Sequence, residues 1–195
     1  SLREQLRQIA SALELQEQMT ADKEQELEQV SRRLNTLLAE RVNQLEQYQS
    51  EFFARLRDIL AGNENVRIVG DRFLLPSELL FASASADLGE EGRRELDKLA
   101  NLLLDVSAKI PEDVDWILRI DGHTDVIHIN TPRFPSNWEL STARAVAVVR
   151  YLAAQGVPER RMAAAGFGEF FPVAEGTSPE ALQRNRRIEL KLTDR

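Results

Sequence analysis

Two short runs of the 195-residue chain have residue types and spacings able to do chemistry. Asp121-Gly122-His123-Thr124-Asp125 follows a segment of alternating apolar residues, and Ser136-Asn137-Trp138-Glu139-Leu140-Ser141-Thr142-Ala143-Arg144-Ala145 opens a helical pattern. Ser136 with Glu139 fits a capping box. Asn137, Ser141 and Arg144 fall four and three apart, so a helix puts them on one face. That face begins at a helix N-terminus, where free backbone N–H groups favour an anion. Arg144 adds a planar fork suited to a carboxylate. A loop that folds Asp125 back beside this face completes a site with one cation and one anion, a receptor for the zwitterionic head of an amino acid. Taken alone, Asp125 is better read as a turn cap. Arg144 alone also reads as a solvated helix residue, or as a partner of Glu139 or Asp125.

Other chemistries find little support. There is no cysteine, hence no disulfide and no thiolate metal site. His123 and His128 are the only histidines, and no paired spacing suits zinc. No nucleophile–base set is visible, so no enzyme activity, cofactor or metal is expected. The net charge of -7 argues against nucleic acid as a partner, and the basic run Arg184, Arg186, Arg187 is too small to reverse that. His123 is expected to hydrogen-bond within its loop. Trp138 is expected to pack under the loop rather than serve as a sugar platform, and Gly166 and Gly168 to form turns.

These residues need a scaffold, and the chain supplies two grammars. Residues 1–61 are rich in Leu, Gln, Glu, Arg and Ala, and lack Gly and Pro. Leu2, Leu6, Ile9 and Leu13 recur four and three apart, the seam weakens over Gln16–Glu26, returns at Leu27, Val30, Leu34 and Leu37, and shifts to Leu38, Val42, Leu45, Phe52, Leu56 and Ile59. A narrow apolar stripe with a stutter predicts a coiled-coil helix that pairs with a second copy. Gly62-Asn63-Glu64-Asn65 stops it. Residues 62–195 form the second domain. Val66–Leu75 reads as a hairpin around Gly70-Asp71, 88–110 as a helix, 114–120 as a strand, and 137–155 as a helix. A strand follows at 162–166, a helical turn from Pro179, and a strand at 187–192 with Ile188, Leu190 and Leu192 on one face and Arg187, Glu189 and Lys191 on the other. The order predicts an α+β fold, an α/β sandwich with helices on one face of a small mixed sheet. No stretch is long and apolar enough to span a bilayer.

The same residues carry a resemblance. His123-Thr124-Asp125, Asn137-x-x-Leu140-Ser141-x-x-Arg144-Ala145, Gly166-x-Gly168-Glu169 and Asn185-Arg186-Arg187-Ile188-Glu189 stand in the order of the OmpA/MotB peptidoglycan-binding family. The resemblance covers roughly residues 66–193 and implies that Asp125 holds the ammonium, and Arg144 the carboxylate, of the diaminopimelate in the peptidoglycan stem peptide. It brings Thr124, Asn137, Leu140, Ser141, Asn185 and Arg186 into the candidate set, with Phe81 and Ser83 at the rim and Asn185 and Arg186 tying the last strand to the site. His128 stands where many members have Gly, and the loop to Asn137 is long, with Pro132 and Pro135. The run Arg133-Phe134-Pro135-Ser136-Asn137-Trp138 and the segment 79–86 resemble the MotB branch, the wall-binding subunits of flagellar-type stators. That resemblance implies a periplasmic homodimer, tethered by an inner-membrane helix absent from this chain, beside a MotA-like or ExbB-like channel subunit. The alternative is a coiled-coil dimerisation scaffold with weak or no wall binding.

Overall fold

The computed structural model describes residues 1–60, 67–110 and 116–194. The expected domain boundary at 61/62, with the Gly62–Asn65 stop, lies outside the described residues, as do Val114 and Asp115. The chain divides into two compact units, residues 1–44 and 45–195.

The first unit is part of helix α1, Leu2–Leu60, which runs without a break through the weak seam at 16–26. Leu2, Leu6, Ile9, Leu13, Leu27, Val30, Leu34, Leu37 and Val42 are all exposed along it. In the second unit, Leu45 and Tyr48 of the same helix pack against the main core. Arg55 pairs with Asp105 and with Glu51.

Polar turns divide the rest of the second unit. Gly70 at φ +59 closes the hairpin between β1 (Arg67–Val69) and β2 (Arg72–Pro76). A short helix, α2 (Ser77–Leu80), leads to α3 (Glu90–Ser107), and β3 spans Trp116–His123. Then come α4 (Asn137–Ala154), β4 (Met162–Gly166), α5 (Pro179–Asn185) and β5 (Arg187–Asp194). The sheet order is β1-β2-β5-β3-β4, with β3–β4 parallel and the other pairs antiparallel.

Side chains alternate across a strand, so register decides which meet. Leu190 lies opposite Phe73 on one side and Ile120 on the other; Leu192 lies opposite Leu118, and Ile188 opposite Leu75. These rows share one face and are buried, and Leu96, Leu99 and Leu103 of α3 and Ala145, Val148 and Leu152 of α4 belong to the same core. Each such leucine contributes roughly 1.5–3 kcal/mol by leaving water. The expected mixed sheet with helices on one face is what forms.

The other face is polar but also buried in part. Arg187 and Glu189, on the charged side of β5, are 3% exposed, and Asp121 is fully buried there. The reason is the 167–174 loop, whose Phe171 carbonyl accepts a bond from Arg187 Nη2 at 2.9 Å. Arg187 and Arg72 both pair with Glu189, at 2.6 Å each, and Arg119 forks onto Asp121. Burial opposes the Glu189 charge, but the hydrogen bond from Arg72 and the charge of Arg187 outweigh it and lower its pKa.

Candidate functional site

Backbone contact positions the site. A Cβ on Gly122 of β3 would lie 2.1 Å from the Ser141 carbonyl oxygen, and one on Gly166 of β4 would lie 2.1 Å from Thr142 Oγ1. Only glycine at these points lets the first turns of α4 rest directly on the ends of β3 and β4. Ser136 caps that helix, its Oγ accepting from Trp138 N at 3.2 Å and donating to the Glu139 carboxylate.

Asn137 then pins the loop over the helix start. Its Oδ1 accepts from Ile129 N at 3.2 Å, and its Nδ2 donates to the carbonyls of Ile127 at 3.1 Å and Asp125 at 3.4 Å. This brings Asp125 back beside α4, as the zwitterion site requires. A cavity of about 720 Å³ lies between the loop, α2 and α4. Thr124, Asp125, Asn137, Leu140, Arg144, Arg186, Phe81 and Ser83 all line it.

Ser141 and Asn185 do not line it. Ser141 is fully buried, its Oγ donating to the Trp138 carbonyl and accepting from Gly168 N at 3.1 Å. Asn185 Oδ1 accepts from Val173 N and Ala174 N at 2.8 and 3.0 Å, and its Nδ2 donates to the Ala174 carbonyl, which folds the 167–174 loop against α5. Both hold neighbouring loops in place.

The cavity's charges are arranged unevenly. Asp125 Oδ2 accepts from Arg186 Nη1 at 2.5 Å, and Asp125 Oδ1 accepts from Ile127 N at 2.9 Å. Arg186 Nε donates to Glu78 at 2.6 Å, so one arginine is shared by two carboxylates. Burial works against the Arg186 charge, but its hydrogen bonds to Asp125 and Glu78 outweigh that and raise its pKa. Arg144 is different. It is 4% exposed, its Nε donates to the Ser85 carbonyl at 2.8 Å and its Nη2 to that of Ala82 at 3.5 Å, and its guanidinium sits 5.3 Å from the Phe81 ring centre. Among the described residues it has no carboxylate partner. Burial pushes its pKa down to about 10. A buried cation held by carbonyls and a ring face is poised to take an anion.

Spacing did not reveal Glu78, Ser77, or the loop residues Ile127, His128 and Ile129, all of which line the cavity. The Ser77 hydroxyl is buried with no hydrogen-bond partner among the described residues. The available signal was position: Ser77 and Glu78 directly precede the segment that already held Phe81 and Ser83. Two expectations outside the cavity are corrected. Among the described residues neither ring nitrogen of His123 has a hydrogen-bond partner, its Nε2 lies 3.5 Å from Glu189 Oε1, and the ring stacks on Phe167 at 5.0 Å. Trp138 is not tucked under the loop but is 47% exposed and stacked on Phe170.

Among the described residues there is no cluster of three or more His, Cys, Asp or Glu suited to a metal ion, and no helix long and apolar enough to cross a membrane.

A mixed five-stranded sheet, helices on one face and a loop folded over the N-terminus of α4 define a recognisable class. Residues 80–186 match the OmpA family, and the chain belongs to it. Within that family its likeness is to the MotB-like branch. The structure of a putative MotB-like protein from Desulfovibrio vulgaris is similar at a TM-score of 0.66 and 30% identity, covering 80% of this chain and 99% of that one. The cell wall anchor of the T6SS from Pseudomonas aeruginosa is similar at a TM-score of 0.61 and 33% identity, covering 73% of this chain and 96% of that one. Motility protein B of Helicobacter pylori (strain J99) is 30% identical over 122 residues, 62% of this chain and 45% of that protein. The chain spans about half the length of the curated relatives it matches.

Proposed function

We propose that residues 62–195 form a non-catalytic module that grips peptidoglycan, taking the diaminopimelate of the stem peptide into the Asp125–Arg144 cavity. The observation that carries this is Arg144: a buried cation with no carboxylate partner among the described residues, at the wall of a cavity large enough for a peptide side chain. A ligand carboxylate supplies the missing charge. The ligand's ammonium goes to Asp125, where Glu78 and Asp125 together outweigh the single charge of Arg186. Thr124, Leu140, Phe81 and Ser83 form the walls, and Asn137 holds the loop. Membership of the OmpA family and likeness to a T6SS cell wall anchor support wall anchoring.

In this reading the module tethers a MotB-like stator or related envelope complex to the wall from the periplasm. The exposed apolar stripe of α1 pairs with that of a second copy. The channel partner is a MotA-like or ExbB-like subunit, reached through a membrane helix outside this sequence. Co-sedimentation with purified sacculi tests the wall reading. Wild-type protein pellets with sacculi, and Asp125→Ala and Arg144→Ala remain in the supernatant. Unchanged pelleting of both variants refutes the site; a wild type that stays soluble favours the scaffold alternative.

A further inference from the structure

Beside the proposed peptide cavity lies a second feature. Trp138 and Phe170 stack with ring centres 5.2 Å apart and planes inclined by 26°, and they remain 47% and 56% exposed. Phe171, the next residue, is 57% exposed and sets its ring edge-on to Phe167 at 5.2 Å. A stacked aromatic pair left in water where a loop meets a helix marks a contact site. Against Trp138 opens a cavity of about 610 Å³, lined also by Asp87, Arg133, Phe134 and Glu139. We propose that this ring pair and cavity hold the amino-sugar backbone of the polymer whose stem peptide enters the Asp125–Arg144 cavity; the inference rests on the function proposed above.

The platform is built into the peptide site. Gly168, at φ +57, donates its N–H to Ser141 Oγ at 3.1 Å and accepts from Thr124 N at 2.9 Å through its carbonyl. One residue thus ties the loop bearing Phe170 both to α4 and to the Asp125 segment. A Cβ there would approach Phe170 Cδ2 at 3.4 Å and Trp138 Cδ2 at 3.7 Å, and the left-handed backbone already favours glycine. The rings are therefore fixed relative to the peptide cavity rather than carried on a free loop.

The chemistry suits a sugar. Pyranose rings present C–H faces to aromatic planes and hydroxyl or N-acetyl edges to polar side chains. The cavity supplies both donors and acceptors: Arg133 forks onto Asp87 at 2.8 and 2.9 Å while lying over the Phe134 ring at 5.2 Å, and Glu139 is held by Ser136. A protein partner would bury a larger, drier face than this charged and broken one.

The ligand's covalent structure then fixes the distance. A lactyl group, an alanine and a glutamate separate the muramic ring from the diamino acid. Three links at roughly 3.3–3.6 Å each reach about 10 Å. Trp138 and Arg144 lie six positions apart on α4, roughly 9 Å along its axis at 1.5 Å per residue. Six positions also turn about 120° round the helix, and the side chain of the diamino acid adds to the reach, so a ligand held at Arg144 brings its sugar to the ring pair when the stem peptide is extended.

Calorimetry on the full chain tests this with two ligands, the free L-alanyl-D-glutamyl-diaminopimelyl-D-alanine tetrapeptide and the same peptide on the N-acetylglucosamine–N-acetylmuramic acid disaccharide. The expected result is about tenfold tighter binding of the disaccharide form, a gain lost in Trp138→Ala and Phe170→Ala and kept in Trp138→Phe, with free-peptide affinity unchanged throughout. Fluorescence supplies a readout without variants. Trp116 is 2% exposed, so a blue shift seen with the disaccharide form and absent with free peptide reports Trp138. Equal wild-type affinities for the two ligands overturn the sugar platform and leave the peptide site standing. Equal loss of both ligands in Trp138→Ala makes the ring a support of the peptide site, and no loss of either in both alanine variants assigns the surface to a protein contact; each overturns the proposal. A wild type that binds neither ligand overturns the wall reading and the platform together.

Discussion

Replacing Arg144 by methionine separates binding from folding. The folded protein holds this guanidinium 4% exposed and pushes its pKa down from the ordinary arginine value to about 10, chiefly by burial. At about 1.4 kcal/mol per unit, the charged form is disfavoured by roughly 3 kcal/mol. The guanidinium recovers part of that through its bonds to the Ser85 and Ala82 carbonyls, of which the first, at 2.8 Å, is good and the second, at 3.5 Å, is weak. A charge-assisted bond of the better kind contributes about 1.5–3 kcal/mol. Methionine keeps most of the volume and removes the desolvation cost together with these bonds. The two nearly cancel, so Arg144→Met should change unfolding free energy by no more than about 1.5 kcal/mol in urea titrations. Binding has no such compensation. Loss of a buried partner for a ligand carboxylate costs about 2–5 kcal/mol, thirtyfold or more in affinity for a diaminopimelate peptide. Calorimetry on the variant checks the second figure. A variant destabilised by more than about 3 kcal/mol would make Arg144 a structural residue. One that still binds within threefold of wild type would refute the clamp.

Three further outcomes follow from other parts of the fold. His123 is buried beside Arg187, Glu189, Arg72 and Arg119, and burial with the Arg187 charge lowers its pKa to about 4. The unfolded chain then binds the extra proton first, so stability falls as pH drops from about 6.5 towards 4, by up to about 3 kcal/mol. His123→Phe should flatten that slope in urea titrations across the window, and an unchanged slope refutes the assignment. Gly122→Ala puts a Cβ 2.1 Å from the Ser141 carbonyl and must lift α4 off β3; a loss of at least about 2 kcal/mol and weaker peptide binding are expected, and wild-type stability would contradict the close approach. Light scattering should give a dimer for the full chain and a monomer for residues 61–195, and a monomeric full chain excludes pairing through α1.

Much of this was legible in the chain because it followed periodicity. The rows Phe73–Leu190–Ile120 and Leu75–Ile188 come from alternating strands, and Leu96, Leu99 and Leu103 from helical spacing. Asn137 and Arg144 were placed together by helix geometry, although the same geometry pointed Ser141 at the cavity. A helix face is wider than a site. Ser141 sits where α4 meets β3 and β4, and is used up there. What spacing did not carry was long-range pairing. Arg186 lies 61 positions from Asp125 and 108 from Glu78, and both ion pairs arise from the order of strands in the sheet. The burial of Arg187 and Glu189 was equally hidden, since it depends on a loop folding back over a strand whose own pattern is polar.

The charges of the cavity bear on which ligand it takes. Glu78 and Asp125 carry two negative charges, Arg186 and Arg144 two positive, and all four line one space. A simple anion would answer Arg144 and leave the cavity net negative; a simple amine would answer the carboxylates and leave Arg144 unpaired. A group with ammonium and carboxylate on one carbon satisfies both and keeps the balance. Diaminopimelate has that group at its free end, whereas lysine in the same position of a stem peptide has only the ammonium. In the proposed site the missing carboxylate would leave Arg144 without a partner, and the cost of an unmatched buried cation, about 2–5 kcal/mol, would set the discrimination between the two wall types. On the proposed function, such selectivity would come less from the contact Arg144 makes than from the partner it lacks in the free protein.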